Sequence, residues 1–140
     1  MRAALALIAS TALLTGCATL TEPAPDGPPM AQDGNDCAVI AAVAKEHFRF
    51  GSDNPPPPIR FAGGYAPQCD WGRYGLDFTP YVDDRSDGPV MPWVSFERPR
   101  YDGEGALIEV GAMDGQGSEC RVRSGFAGWT VTECRAIWVS

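Results

Sequence analysis

Histidine is almost missing from this sequence: His47 is the only one in 140 residues. A Ser/His/Asp arrangement would have to use it, and nothing resembling a nucleophile elbow surrounds Ser52, Ser86 or Ser95. No two cysteines stand as C-x-x-C, which argues against both a zinc site and a thiol–disulfide oxidoreductase. Basic residues are few, 11 Lys and Arg against 18 Asp and Glu for a net charge of -7, so a phosphate-neutralising surface for nucleic acid is not expected. Asp83, Asp84 and Asp87 precede Gly88 as in a calcium loop, but Arg85 and Val94 fall where that loop needs oxygen ligands. A solvated acidic turn is the simpler reading. These absences lead us to expect no enzyme, no metal and no cofactor.

Long apolar runs are also absent. The longest, Ala3 to Leu14, follows Arg2 and as a helix would cover about 18 Å, short of the roughly 30 Å hydrocarbon core. A charged start, a short apolar core and small residues after it describe a signal peptide over residues 1–16. Arg2 is the one charged side chain in that segment, so its removal leaves 10 basic against 18 acidic side chains and a charge of -8. Such a charge is compatible with cationic partners.

The run ends in Leu14, Thr15, Gly16 and Cys17, which resembles the lipobox of bacterial lipoproteins. The resemblance implies that the Cys17 thiol receives a diacylglyceryl group, that a peptidase cuts before it, and that the new amino group is acylated. Ala18, in place of the aspartate that retains such proteins at the inner membrane, implies an outer-membrane location facing the periplasm. Two or three acyl chains, at about 0.8 kcal/mol per buried methylene, give an effectively permanent anchor.

Residues 17–35 are rich in Pro, Gly and small polar residues and read as a flexible tether. A single domain over 36–140 follows. Asp36 is the expected N-cap of a helix whose apolar stripe is Cys37, Ile40, Ala41, Ala44 and Phe48, closed by Gly51. Pro55 to Pro58 must be extended and serve as a connector. Ala62 to Pro89 reads as mostly loop. Val90–Tyr101, Ala106–Met113, Glu119–Ser124 and Trp129–Val139 are β-prone runs separated by turn residues. The expected fold is α+β: one N-terminal helix packed on a C-terminal antiparallel β-meander of about four strands. Its helix-then-meander order resembles small envelope lipoproteins, among them assembly factors and β-lactamase-inhibitor-like proteins, in element order alone.

With Cys17 given to the lipid, Cys37, Cys69, Cys120 and Cys134 remain, an even number suited to disulfides in an oxidising compartment. We expect Cys37–Cys69 and Cys120–Cys134. For the second pair, a loop between Ser124 and Trp129 places Val122 opposite Val131 and Cys120 opposite Glu133. The apolar pattern Trp129, Val131, Cys134, Ala136, Trp138 slips by one residue after Val131, so one bulge near Thr132 and Glu133 brings Cys134 opposite Cys120.

Trp93, Trp129 and Trp138 are expected to fill the core or its rim, whereas Trp71 and Tyr74, in a Gly-rich loop, are the candidates for ligand contact. The functional expectation is a non-catalytic envelope lipoprotein that binds or scaffolds another envelope component, with a cationic or envelope protein as a candidate partner, the alternative being an inhibitor of a cationic hydrolase such as lysozyme or a protease. Cys17→Ser should leave the chain uncleaved or free of the membrane fraction. A processed, membrane-bound Cys17→Ser protein on fractionation would refute the anchor.

Overall fold

A computed structural model of the chain describes residues 35–83, 88 and 91–139, without the side chain of residue 139. The signal segment, Cys17, the tether up to residue 34, and Asp84 and Asp87 of the acidic turn lie outside the described residues. The architecture is α+β, with one helix, a mixed six-stranded sheet and two disulfides.

The helix α1 spans Asp36–Glu46 and differs from the expected amphipathic stripe, because Asp36, Cys37 and every residue from Val39 to Ala44 are buried. One side faces the sheet, chiefly β5 and β6 as defined below, and another meets the short 3-10 turn at Trp71–Tyr74. Ala38, Ala41, Ala42 and Ala44 are small enough to let backbone approach from both directions. Asp36 is not the cap. Asn35 holds that position without a side-chain bond, while the Asp36 carboxylate turns inward. Nor does Gly51 close the helix: the chain leaves through Arg49 at φ 62°. Phe50 N–H returns to the Ala44 carbonyl at 2.9 Å. Asn54 Nδ2 donates to the carbonyls of Phe48 and Arg49 at 3.3 and 3.1 Å.

The strands are β1 Ile59–Phe61, β2 Val94–Phe96, β3 Arg100–Asp102, β4 Gly105–Ala112, β5 Gln116–Gly125 and β6 Gly128–Val139. They lie in the order β1-β2-β4-β5-β6, with β3 also paired to β4. The expected four-stranded antiparallel meander is thus corrected in two places. The proline run delivers Ile59 beside Val94 in parallel, adding a strand that no alternation announced in so short a segment. The run from 90 to 101 is two strands, with Pro99, which has no N–H to donate, in the gap between them.

Between β5 and β6 the register is Val122↔Val131, then Arg121↔Glu133 and Cys120↔Cys134, so Thr132 is the inserted residue of the anticipated bulge. A second shift follows: Ser118 faces Ala136 while Gly117 faces Trp138, which makes Ile137 another inserted residue. The hairpin turn is also tighter than expected, since Gly125 pairs with Gly128.

The inner face packs Phe96, Ile108, Val122 and Cys120 against Val39, Ile40 and Val43, all fully buried. Cys37–Cys69 ties the first turn of the helix to the loop that covers it, across a sequence separation of 32. Cys120–Cys134 spans β5 and β6, with Cα atoms 4.1 Å apart. Replacing both Cys37 and Cys69 by Ser should lower stability by about 3 to 4 kcal/mol on the chain-entropy account. Chemical denaturation measures this, and an unchanged midpoint would show that the loop is held without the bond.

Candidate functional site

Three groupings of polar or reactive side chains stand out, and the local structure explains each. The first surrounds Asp36, whose residue is 4% exposed. Tyr65 Oη donates to Oδ2 at 2.6 Å and Tyr101 Oη donates to Oδ1 at 2.5 Å. Tyr65 comes from the loop after β1 and Tyr101 from β3, so one carboxylate joins helix, loop and sheet. Burial, then the hydrogen bond and negative charge of Asp36, push both phenols well above the ordinary tyrosine pKa. Arg98, over the Tyr65 ring at 5.6 Å, works against that rise. The cluster is a neutral-phenol clamp on a carboxylate, and it presents no activated nucleophile.

The second grouping lies where the helix ends on β6. His47 sits with Cys120 and Cys134, their ligand-type atoms all within 4.8 Å of one another. Both sulfurs are joined in the disulfide, so the trio does not offer a pair of thiolates to a metal. Burial lowers the His47 pKa, and the neighbouring Glu46 Oε2 accepts from Val131 N–H at 2.9 Å. Here the helix C-terminus is fastened to the bulge.

The third grouping is the sheet face opposite the helix. Along β4, β5 and β6 the outward positions carry charge. Arg100 donates to Glu109 at 3.2 Å and to Glu119 at 2.9 Å, and Arg135 donates to Glu119 at 3.0 Å. Arg121 meets Asp102 at 2.6 Å and Arg123 meets Glu104 at 3.5 Å. The guanidinium of Arg135, helped by that of Arg100, holds the Glu119 carboxyl below its usual range, and Arg121 does the same for Asp102. A depression of about 420 Å³ is lined by Glu104, Leu107, Glu119, Arg121, Arg123 and Arg135, with Thr132 and Glu133 at its β6 side.

At one end of that face a row runs Arg60, Ser95, Gly111, Gly117, Trp138 from β1 to β6. The two glycines form a floor on which the indole of Trp138 lies. A Cβ added to Gly117 would stand 2.0 Å from Trp138 Cε2, 2.3 Å from Nε1 and 2.4 Å from Cζ2. A carbon meeting the ring in its plane would come closer to the two neighbours than to the fusion atom Cε2. The observed order is that of an approach through the ring face. The indole therefore lies face-down on Gly117 and reaches Gly111, whose added Cβ would be 3.2 Å from Cζ2. Trp138 remains 45% exposed.

The sequence-derived candidates fall elsewhere. Trp71 and Tyr74, expected as ligand contacts, are half-buried against the core, Trp71 lying 4.7 Å from Phe78 and 6.2 Å from Phe61 between ring centroids. The structure does not bring them together with Trp138. Trp129 packs half-buried near Tyr101, and Trp93 is half-buried with Arg60 5.8 Å from its ring. Trp138, expected in the core or at its rim, is on the outer face because Ile137 is inserted before it and breaks the alternation that runs on from Cys134. A signal for it existed: Gly111 and Gly117 on adjacent strands leave a gap that a large side chain must fill. Comparison with protein-family models, with curated proteins and with solved structures finds no match.

Two predictions follow from these contacts. Gly117→Ala puts a methyl group into the indole and should cost about 1 to 3 kcal/mol, with a red-shifted tryptophan emission as the ring is displaced. Gly111→Ala should be milder, and equal denaturation midpoints for the two variants would contradict the placement of Trp138. For Tyr65 and Tyr101 the folded-state pKa is raised, so their contribution is whole below the ordinary tyrosine value of about 10 and is lost as pH climbs above it. Denaturation midpoints should therefore fall above about pH 10, less steeply in Tyr65→Phe. A pH dependence identical in the variant and the parent would count against the clamp.

Proposed function

We propose that the protein is a lipid-anchored, non-catalytic binding protein of the bacterial cell envelope, held at the outer membrane through Cys17 and engaging a partner with the outer face of its sheet. The observation that carries the reading is Trp138: a large aromatic laid flat over glycines, beside a polar depression, on the face that the helix leaves open. A side chain serving only the core would be turned inward. The ion-paired groups beside it are already held in place, so engaging a partner requires little further ordering. Support for the anchor comes from Leu14 to Cys17, and support for a non-catalytic role from the engagement of Asp36 and the two disulfides in structural contacts.

A photo-crosslinking residue in place of Arg135 tests this in intact cells. An adduct is expected from that outer-face position and not from exposed Arg73, on the loop side of the helix. No adduct at Arg135, or equal yields from both positions, overturns the assignment of the face.

Phe126 favours a second reading. It is fully exposed at the tip of the β5–β6 hairpin, which Cys120–Cys134 braces, and a rigid apolar tip on a domain of charge -8 suits an inhibitor of a cationic hydrolase. Under it, micromolar protein at low salt suppresses lysozyme or protease activity, and Phe126→Ala relieves the suppression.

A further inference from the structure

Resting on the reading that the outer face binds, we infer that its ligand is a glycan: a pyranose ring stacks on Trp138, and its hydroxyls bond to the charged side chains of the neighbouring rows. The indole gives one face to the glycine floor, and the 45% exposure of Trp138 is what a ring with its other face toward solvent would have. That is the form of a stacking platform, broad and flat, and it matches the C–H-lined face of a sugar ring better than the irregular surface of an inserted protein side chain.

The surroundings supply the polar half of the match. Moving along β5 and β6 from Trp138, the outward pairs are Glu119 with Arg135, then Arg121 with Glu133. Arg123 extends the series on β5 toward the hairpin turn. Successive outward positions on a strand are roughly 7 Å apart, so the polar track runs about 20 Å from the indole, enough for several linked sugars. Carboxylates accept and guanidiniums donate in planar pairs, which is what adjacent hydroxyls require. The depression they line, about 420 Å³, has room for a sugar unit.

The charges also decide the class. The depression is lined by three guanidinium groups, Arg121, Arg123 and Arg135, and three carboxylates, Glu104, Glu119 and Glu133, so it has no net sign to favour a phosphate or a polycation. Among the described residues Leu107 is the one apolar side chain lining it, so the depression lacks the apolar centre that anchors a protein–protein interface. A neutral, polyhydroxylated ligand uses both the donors and the acceptors.

The test titrates tetra-N-acetylchitotetraose and maltotetraose, separately, into the full chain in detergent, read by tryptophan fluorescence and calorimetry. Saturable binding of at least one, on the order of 1 mM or tighter, is expected. Trp138→Ala should weaken it at least about tenfold, Trp138→Tyr should recover most of it, and Arg135→Ala should weaken it without altering the fold. No saturable binding of either oligosaccharide, or unchanged affinity in Trp138→Ala, overturns the inference. If Trp138→Ala does not fold, Arg135→Ala decides alone, and unchanged affinity there is equally negative. A protein adduct at Arg135 in cells with no oligosaccharide binding in solution refutes the glycan and leaves the binding role intact. Oligosaccharide binding that survives both substitutions refutes this face as its site.

Discussion

How β6 lies against β5 governs both faces of the sheet. Thr132 is inserted once, and the side chains beyond it change sides, which brings Cys134 opposite Cys120 on the buried face. Ile137 is inserted next, and the sides change again, which turns Trp138 outward onto Gly117. The disulfide and the aromatic platform are therefore consequences of two single-residue insertions only a few positions apart. Without the first, Cys134 would face away from Cys120; without the second, the indole would compete for space with the helix.

The sequence made the first insertion legible because two signals coincided there, the apolar period and the cysteine positions. It did not reveal the second, since Ala136, Ile137 and Trp138 are all apolar and an unbroken run carries no phase. The same ambiguity hid the helix surroundings. Ala41, Ala42 and Val43 continue the apolar pattern around the helix, which marks burial on two sides, yet the covering layer is a turn-rich segment with no period of its own. Cys69 was the one residue of that segment whose tie to the helix could be inferred from the chain. Asp36 illustrates a different limit: a carboxylate at a helix start looks like a cap, and only the approach of Tyr65 and Tyr101, 29 and 65 residues away, makes it an interior link.

The division of labour between the two sheet faces accounts for the composition. The inner face uses aliphatic residues and a disulfide in a domain with a small core. The outer face uses opposite charges on neighbouring strands, which satisfy one another and leave the protein's excess acidity to the remainder of the surface. Glu119, with its side chain 15% exposed between Arg100 and Arg135, is the centre of that arrangement. Its position in the middle of β5 fixes the direction of both guanidiniums.

The insertions in β6 have a further consequence at the sheet's rim. A regular strand turns its free amides and carbonyls outward at every second residue, and so templates the addition of another strand. Along β6 the short Cα separation at Cys134 marks a pair whose backbone groups point away from β5, and Val131 N–H is likewise turned away, to Glu46. Those outward positions are three residues apart instead of two, and one of them is already occupied. An incoming straight strand cannot stay in step across them. The irregularity that aligns the disulfide thus also guards a 12-residue edge against self-templated aggregation.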